Sequence, residues 1–407
     1  MRAFLTTITL FITLVLTSPV SLAADAMAFW SASRHGANSF NRLPPDSKYF
    51  TALHDYGASW VRLSWDKWPT QQRDFLLGNA DEYRGLDAGD LQTLIHTLDR
   101  AWAAGLRVVI TPLSLPGMRW AQNNGGKFDD RLWQDKAWWE ASVRYWHDLA
   151  AALHHHPAIA AYNLINEPAP EKNGGLAEHA SSEAMARWYQ QQRGGSRDLP
   201  AFYAALIAAI READAVTPIM VDSGWYAAAD AFDYWPEALH DTRILYSVHM
   251  YEPYAATSAP NARREKPWPY PGYVPFGEDM QQWDAARVAD YLARPFEWAA
   301  RNGIDKRQLV VSEFGCVRTL AGCTRYLEDV LTVLDSHDAH WAFYSFREDS
   351  WDGMDYELGR QKVPWRYWQA AEKNLPDPLP RSATKEFEPI RKRLAGQIGR
   401  ASCRERV

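Results

Sequence analysis

Short apolar runs rich in β-branched residues alternate along the chain with longer stretches whose apolar positions recur every three to four residues. The short runs lie at 28–31, 59–64, 107–113, 159–165, 219–222, 244–250, 308–312 and 341–346. Bounded by turn residues, they predict eight strands. The periodic stretches at 47–56, 88–104, 135–155, 199–215, 285–302 and 325–336 predict helices. Gly57, Gly105 and Gly303 stand where helix-ending glycines belong. The weakest helical pattern follows the fifth strand. Strand–helix alternation on this scale predicts an α/β fold with a parallel sheet, closed as a (β/α)8 barrel in a single domain. No glycine-rich phosphate loop follows the first strand, which argues against an open doubly wound sheet.

The chain ends change the picture first. Arg2 and the apolar run 4–16, followed by small residues at 21–26, read as a signal peptide covering 1–26. The run is short for a membrane span, and no second long apolar stretch follows. The protein is therefore expected to be secreted or periplasmic, with no membrane association after cleavage. The last ten residues, 398–407 (IGRASCRERV), are basic and core-free. They resemble read-through of a sequencing adapter and are set aside as a non-native scar. That leaves 27–397 for the barrel, about 46 residues per unit where a lean barrel needs about 31. The excess is expected in two long loops, 117–136 and 252–283. Each follows a strand C-terminus, the face where barrel active sites are built.

Composition narrows the function classes. The formal net charge is −6, which gives nucleic acid or an anionic membrane no purchase. Twenty tryptophans are many. Most are expected in the core, but flat aromatic faces also suit the C–H side of sugar rings. Trp65, Trp68, Trp120, Trp225 and Trp268 are placed on the expected rim as a stacking track. Cys316 and Cys323, seven apart, read as a disulfide in an exported protein. The third cysteine, Cys403, falls in the suspected scar. No His/Cys cluster has zinc spacing, so neither metal nor cofactor is expected. A monomer is expected.

Two motifs carry the chemistry. The stretch 161–168 (AYNLINEP) is an apolar strand ending in Asn166, Glu167 and Pro168, which leaves Glu167 at the strand's C-terminal rim. The bland reading is a glutamate capping the next helix. The stretch 309–315 (LVVSEFG) delivers Glu313 in the same way, 146 residues later. At about 46 residues per unit, the pair falls on strands four and seven, whose rims face each other across a closed barrel. Cleaving a glycosidic bond needs such a pair, one carboxyl protonated and one ionised. Arg62 lies inside the apolar run 60–64, where a charge is costly unless paired, and a carboxylate at the barrel mouth is its natural partner. His249 and Tyr251, two apart at the end of strand six, share a face beside the Glu313 strand. A barrel that binds glycans without cutting them stays open as the alternative.

Asn166-Glu167-Pro168, Ser312-Glu313-Phe314-Gly315, His249, Tyr251 and Arg62 together resemble glycoside hydrolase family 5, the cellulase-like (β/α)8 barrels. The resemblance spans about 29–356. It implies that Glu167 is the acid/base and Glu313 the nucleophile of a retaining enzyme. It also implies that Asn166 meets the substrate 2-hydroxyl, that Arg62 and Tyr251 keep Glu313 ionised, and that His249 lines the catalytic subsite. The expected substrate is an oligo- or polysaccharide, first a β-1,4-glucan cut internally, with a β-mannan or another β-glucan as alternative. Two segments depart from the family pattern. In 111–117 (TPLSLPG), Leu113 stands where many members carry histidine. Strand eight lacks the usual tryptophan floor, leaving Tyr344, Phe346 or Trp351 to take that place.

Overall fold

The computed structural model describes residues 27–404. The expected signal peptide and the last residues of the suspected scar lie outside them. Eight parallel strands close into a barrel, each paired with its neighbours in chain order. They are β1 (His35–Ser39), β2 (Trp60–Leu63), β3 (Arg107–Ile110), β4 (Ile159–Asn163), β5 (Ile219–Asp222), β6 (Ile244–Met250), β7 (Leu309–Phe314) and β8 (His340–Phe343).

Six of the helices follow the periodic stretches closely, and three more, at 182–192, 365–372 and 388–404, were not predicted. The outer helices are α1 (Ser47–Asp55), α2 (Ala88–Ala103), α3 (Ala137–Leu153), α4 (Ser182–Gln192), α5 (Leu199–Ala213), α6 (Ala285–Arg301), α7 (Cys323–His337), α8 (Trp365–Glu372) and α9 (Glu388–Arg404). Their starts have local causes. Asp46 accepts from Tyr49 N at 2.9 Å, and Asp87 caps α2 through Gly89 N and Asp90 N. After β5 come a short turn, Gly224–Ala227, and the 3-10 turn Ala229–Tyr234, where the helical pattern was weakest. Of the expected long loops, 252–283 holds an antiparallel hairpin, Gly272–Phe276 with Asp279–Trp283. Cys316 and Cys323 are joined by a disulfide, with Cα atoms 5.6 Å apart. Among the described residues no helix is long and apolar enough to cross a membrane.

One expected strand is corrected. Residues 28–31 do not form the first strand. They lie in and just after a short helical turn, and β1 begins at His35. Trp30 packs with Trp60, Val109, Ala161, Met220, Leu245, Val310 and Ala342, residues of seven barrel strands, and its Nε1 donates to Ala160 O at 3.1 Å. The apolar run at 28–31 was therefore a barrel plug. The strand signal in 35–39 (HGANS) is polar, because β1 contributes small and hydrogen-bonding residues to a crowded interior.

That interior is built in layers. Residues two apart on a strand face the same way, so the inward residues step up each strand in pairs. Trp60, Ala161, Met220, Leu245 and Val310 form the lower apolar layer with Trp30. Two positions on stand Arg62, Asn163, Asp222, Ser247 and Ser312, all fully buried. The upper layer is polar, and the site is assembled on it.

Candidate active site

Arg62 is the hub of the polar layer. A buried guanidinium is stable only if its donors are satisfied and its charge is opposed. Arg62 Nε donates to Asn163 Oδ1 at 2.9 Å. Nη1 donates to Asn38 Oδ1 at 3.2 Å and to Glu313 Oε2 at 2.9 Å. Nη2 donates to Asn166 Oδ1 at 2.8 Å and to Asp222 Oδ2 at 3.3 Å. Five side chains from four strands or their ends thus converge on one cation.

Glu313 lies within β7, and its register partner across the barrel wall is His249 of β6. The β6–β7 register shifts between Val248 and His249. Such an irregularity re-aims side chains at a barrel rim. The Tyr251 hydroxyl donates to Glu313 Oε1 at 2.6 Å, so both carboxylate oxygens are held, one by Tyr251 and one by Arg62. Burial pushes the Glu313 carboxyl above its ordinary range, as does the neighbouring Glu167 charge. His249, Arg62 and Tyr251 oppose the rise, and the net shift is upward.

Glu167 follows the end of β4 on left-handed backbone, with φ 51°. Its N–H donates to Asp222 Oδ2 at 3.1 Å. His249 Nδ1 lies 2.9 Å from Glu167 Oε1. Burial lowers the His249 pKa, but the nearby Glu313, Glu167 and Asp222 outweigh it and the net shift is upward. Oxygen atoms of Glu167 and Glu313 lie within 4.8 Å of each other. Close approach of the two carboxyls is what a retaining glycosidase needs, at about 5 to 5.5 Å, where an inverting one holds them roughly 6.5 to 9.5 Å apart.

The flanking aromatics sort differently from expectation. Trp65 and Trp68 are buried in the main core, and Trp225 packs with Leu176, Met185, Trp188 and Tyr189 in a satellite cluster. They form no exposed stacking track, because an indole left on the rim buries more apolar surface by turning inward. Trp120 and Trp268 remain half-buried. Beyond the end of β8, Phe346 is buried against Tyr49 and Tyr56, which removes it from the cleft. Tyr344 stands 5.6 Å from Phe40 and 6.2 Å from Trp351, ring centre to centre. Its hydroxyl donates to Glu348 Oε2 at 2.7 Å, and Glu348 pairs with Lys67 at 2.7 Å. Leu113 is buried, and its N–H donates to Asp66 Oδ2 at 2.8 Å.

Among the described residues, two groups bring three possible metal donors within 4.8 Å: Glu167, His249 and Glu313, and separately Glu178, His179 and Glu252. In the first, Arg62 already pairs with Glu313. In the second, burial pulls the His179 imidazole down, but hydrogen bonds to Asp230 and Glu252 outweigh it and lift it to about 10. A charged imidazole is a poor metal ligand.

Sequence reasoning found Arg62 but missed Asn38, Asn163 and Asp222. Asp222 carries the signal that marked Arg62, a charge in an apolar strand, whereas Asn38 and Asn163 are uncharged and do not.

Comparison with known proteins follows the same lines. A family model described as cellulase (glycosyl hydrolase family 5) matches residues 22–350. A search of curated proteins found no significant sequence match. Among solved structures, an endoglucanase of Pseudomonas stutzeri in complex with cellobiose is 18% identical, with a TM-score of 0.57 over 89% of this chain and 93% of that one. An enzyme of Thermotoga maritima in complex with a mannotriose substrate is 14% identical, with a TM-score of 0.56 over 83% and 96%. The cellulose synthase subunit Z of Clostridioides difficile is 16% identical, with a TM-score of 0.53 over 79% and 93%. At these identities the likeness is one of fold.

Proposed function

The chain belongs to glycosyl hydrolase family 5, and on that premise we propose that it is a retaining endo-β-glycosidase acting on a β-1,4-glucan, with Glu313 as nucleophile and Glu167 as acid/base. The observation that carries the assignment is the carboxylate pair itself: oxygens within 4.8 Å, with Arg62 and Tyr251 on the two oxygens of Glu313.

In the first step a Glu313 oxygen attacks the anomeric carbon, and the bond to the leaving oxygen breaks as Glu167 passes its proton to it. Arg62 and Tyr251 hold the attacking carboxylate in place and ionised. In the second step Glu167, now a carboxylate, takes a proton from water, which displaces Glu313 from the anomeric carbon. Glu167 must exchange protons with substrate and water, and its side chain is 31% exposed against 7% for Glu313. In this reading Asn166, tied to Arg62, meets the substrate 2-hydroxyl, and Tyr344 meets the sugar bonded to Glu313.

The glucan preference rests on the segment that begins Tyr251, Glu252, Pro253, Tyr254 and on the endoglucanase among the fold neighbours. A β-mannan is the second reading, favoured by the neighbour solved with mannotriose and by Leu113 in place of histidine. Purified enzyme incubated with a panel of polymeric β-glucans and β-mannans, with the anomer of the first product followed by NMR, separates them. Glucan cleavage with retention is expected. Mannan-only activity would replace the substrate, and inversion would remove the covalent step.

Export is part of the same reading. The pattern of residues 2–26 and the Cys316–Cys323 bridge both suit an oxidising compartment. Mass spectrometry of the exported protein's N-terminus is expected to find a start near residues 24–27. An intact N-terminus on cytoplasmic protein would refute it.

A further inference from the structure

The backbone after β5 winds left-handed through three successive residues, none of them glycine. Trp225 has φ 46° and ψ 56°, Tyr226 φ 61° and ψ 38°, and Ala227 φ 63°. Aromatic residues do not adopt such a run unless their surroundings impose it. The imposing group is Glu171, from the loop that leaves Glu167. Its side chain is fully buried. Oε2 accepts from Trp225 N at 3.0 Å, and Oε1 accepts from the Tyr189 hydroxyl of α4 at 2.5 Å. Gly224 passes so close that a Cβ there would lie 2.0 Å from Glu171 Oε1, so only glycine lets the turn meet the carboxyl. A third bond, Tyr226 N to Pro168 O at 3.1 Å, ties the turn to the residue after Glu167.

The turn sends its two aromatics to different places. Trp225 enters the satellite core. Tyr226 stays half-buried, with the Lys172 ammonium 5.3 Å from its ring centre and 4.4 Å from that of Phe128. Burial and then the charges of Glu178, Glu167 and Glu171 hold its hydroxyl above the ordinary tyrosine value. Glu171 makes no hydrogen bond to Glu167 or Glu313.

We propose that Glu171 is a positioning residue for the leaving-group side of the cleft: it locks the left-handed turn that seats Tyr226 beside Glu167, where the Tyr226 ring stacks on the departing β-linked sugar. This rests on the reading of Glu167 as the acid, since the acid sits over the leaving oxygen.

The test compares a substrate whose leaving group is a sugar, cellotetraose, with one whose leaving group has no ring, β-cellobiosyl fluoride. Glu171→Ala and Tyr226→Ala are each expected to lower kcat/KM on cellotetraose by about tenfold or more while changing fluoride turnover by less than about twofold. Glu171→Gln keeps an acceptor for Trp225 N and a partner for Tyr189, and is expected to restore cellotetraose cleavage. The double variant is expected to be no worse than Tyr226→Ala. Equal losses on both substrates, unchanged cellotetraose cleavage in Glu171→Ala, or an additive double variant would each overturn the role of Glu171. If Glu171→Ala does not fold, Tyr226→Ala and Glu171→Gln still decide, because neither empties the carboxyl site. Wild-type enzyme inert on both substrates, or fluoride turnover that survives Glu313→Ala, would instead overturn the function on which the inference stands.

Discussion

Glu313 sits inside a strand with a donor on each oxygen, whereas Glu167 stands beyond its strand on left-handed backbone with a third of its side chain open. The difference matches two chemical duties. A nucleophile must be ionised and aimed at one carbon, so a rigid, hydrogen-bonded setting suits it. A general acid must lose a proton and regain one from water, so it needs access. Asp222 and His249 join the two regions. Asp222 accepts from Glu167 N and pairs with Arg62, and His249 is a register partner of Glu313 while bonding Glu167.

The sharpest way to break this comparison is to remove each carboxylate in turn. Glu313→Gln is expected to lower kcat by on the order of 10^4-fold or more on every substrate, because no nucleophile remains. Steady-state rates with both a sugar and a fluoride leaving group check it. Glu167→Ala is expected to cost about 10^2- to 10^4-fold with a sugar leaving group. Added azide should restore turnover, with a β-glycosyl azide as product. An azide product of the opposite configuration would exchange the two roles.

A smaller change separates holding from reacting. In Tyr251→Phe the ring stays and the 2.6 Å bond to Glu313 goes. A hydrogen bond to a charged group is worth about 1.5–3 kcal/mol, so kcat/KM should fall roughly ten- to a hundredfold. Tyr251 lowers the Glu313 pKa, so its loss raises it, and the acidic limb of the pH–rate profile should move to higher pH. A limb that stays put would remove Tyr251 from the control of Glu313.

The smallest expected effect concerns stability. Burial raises the Glu171 carboxyl from 4.5 to about 7. The unfolded chain releases this proton first, so Glu171 makes folding less favourable as pH climbs from 4.5 to 7, by up to about 3 kcal/mol. Glu171→Gln should flatten that part of the curve of stability against pH, measured by urea unfolding. An unchanged slope would place the carboxyl outside the buried setting described.

Much of this was legible in the sequence because barrel strands are short, buried and β-branched. Seven strands and six helices fall within a few residues of the patterns that predict them, whereas the helices at 182–192, 365–372 and 388–404 were not read. Glu167, Glu313 and Arg62 were visible as charges that apolar strands could hold only at a rim or against a partner. The first strand was not, because Trp30 imitates a strand while plugging the barrel and the true β1 reads as polar. The rim tryptophans misled for a related reason: composition counts aromatic faces without saying which way they turn. The left-handed turn at 225–227 lay further out of reach. It depends on a carboxyl more than fifty residues earlier and on a contact made only after folding.

The central claim is that Glu313 forms the covalent bond. A 2-deoxy-2-fluoro-β-cellobiosyl fluoride should trap it, because the electronegative substituent slows the second step more than the activated first one. Intact-protein mass spectrometry is expected to show one added glycosyl group, and peptide mapping to place it on Glu313. A label on any other carboxylate, or cellotetraose cleavage with inverted products and no label, would contradict the account.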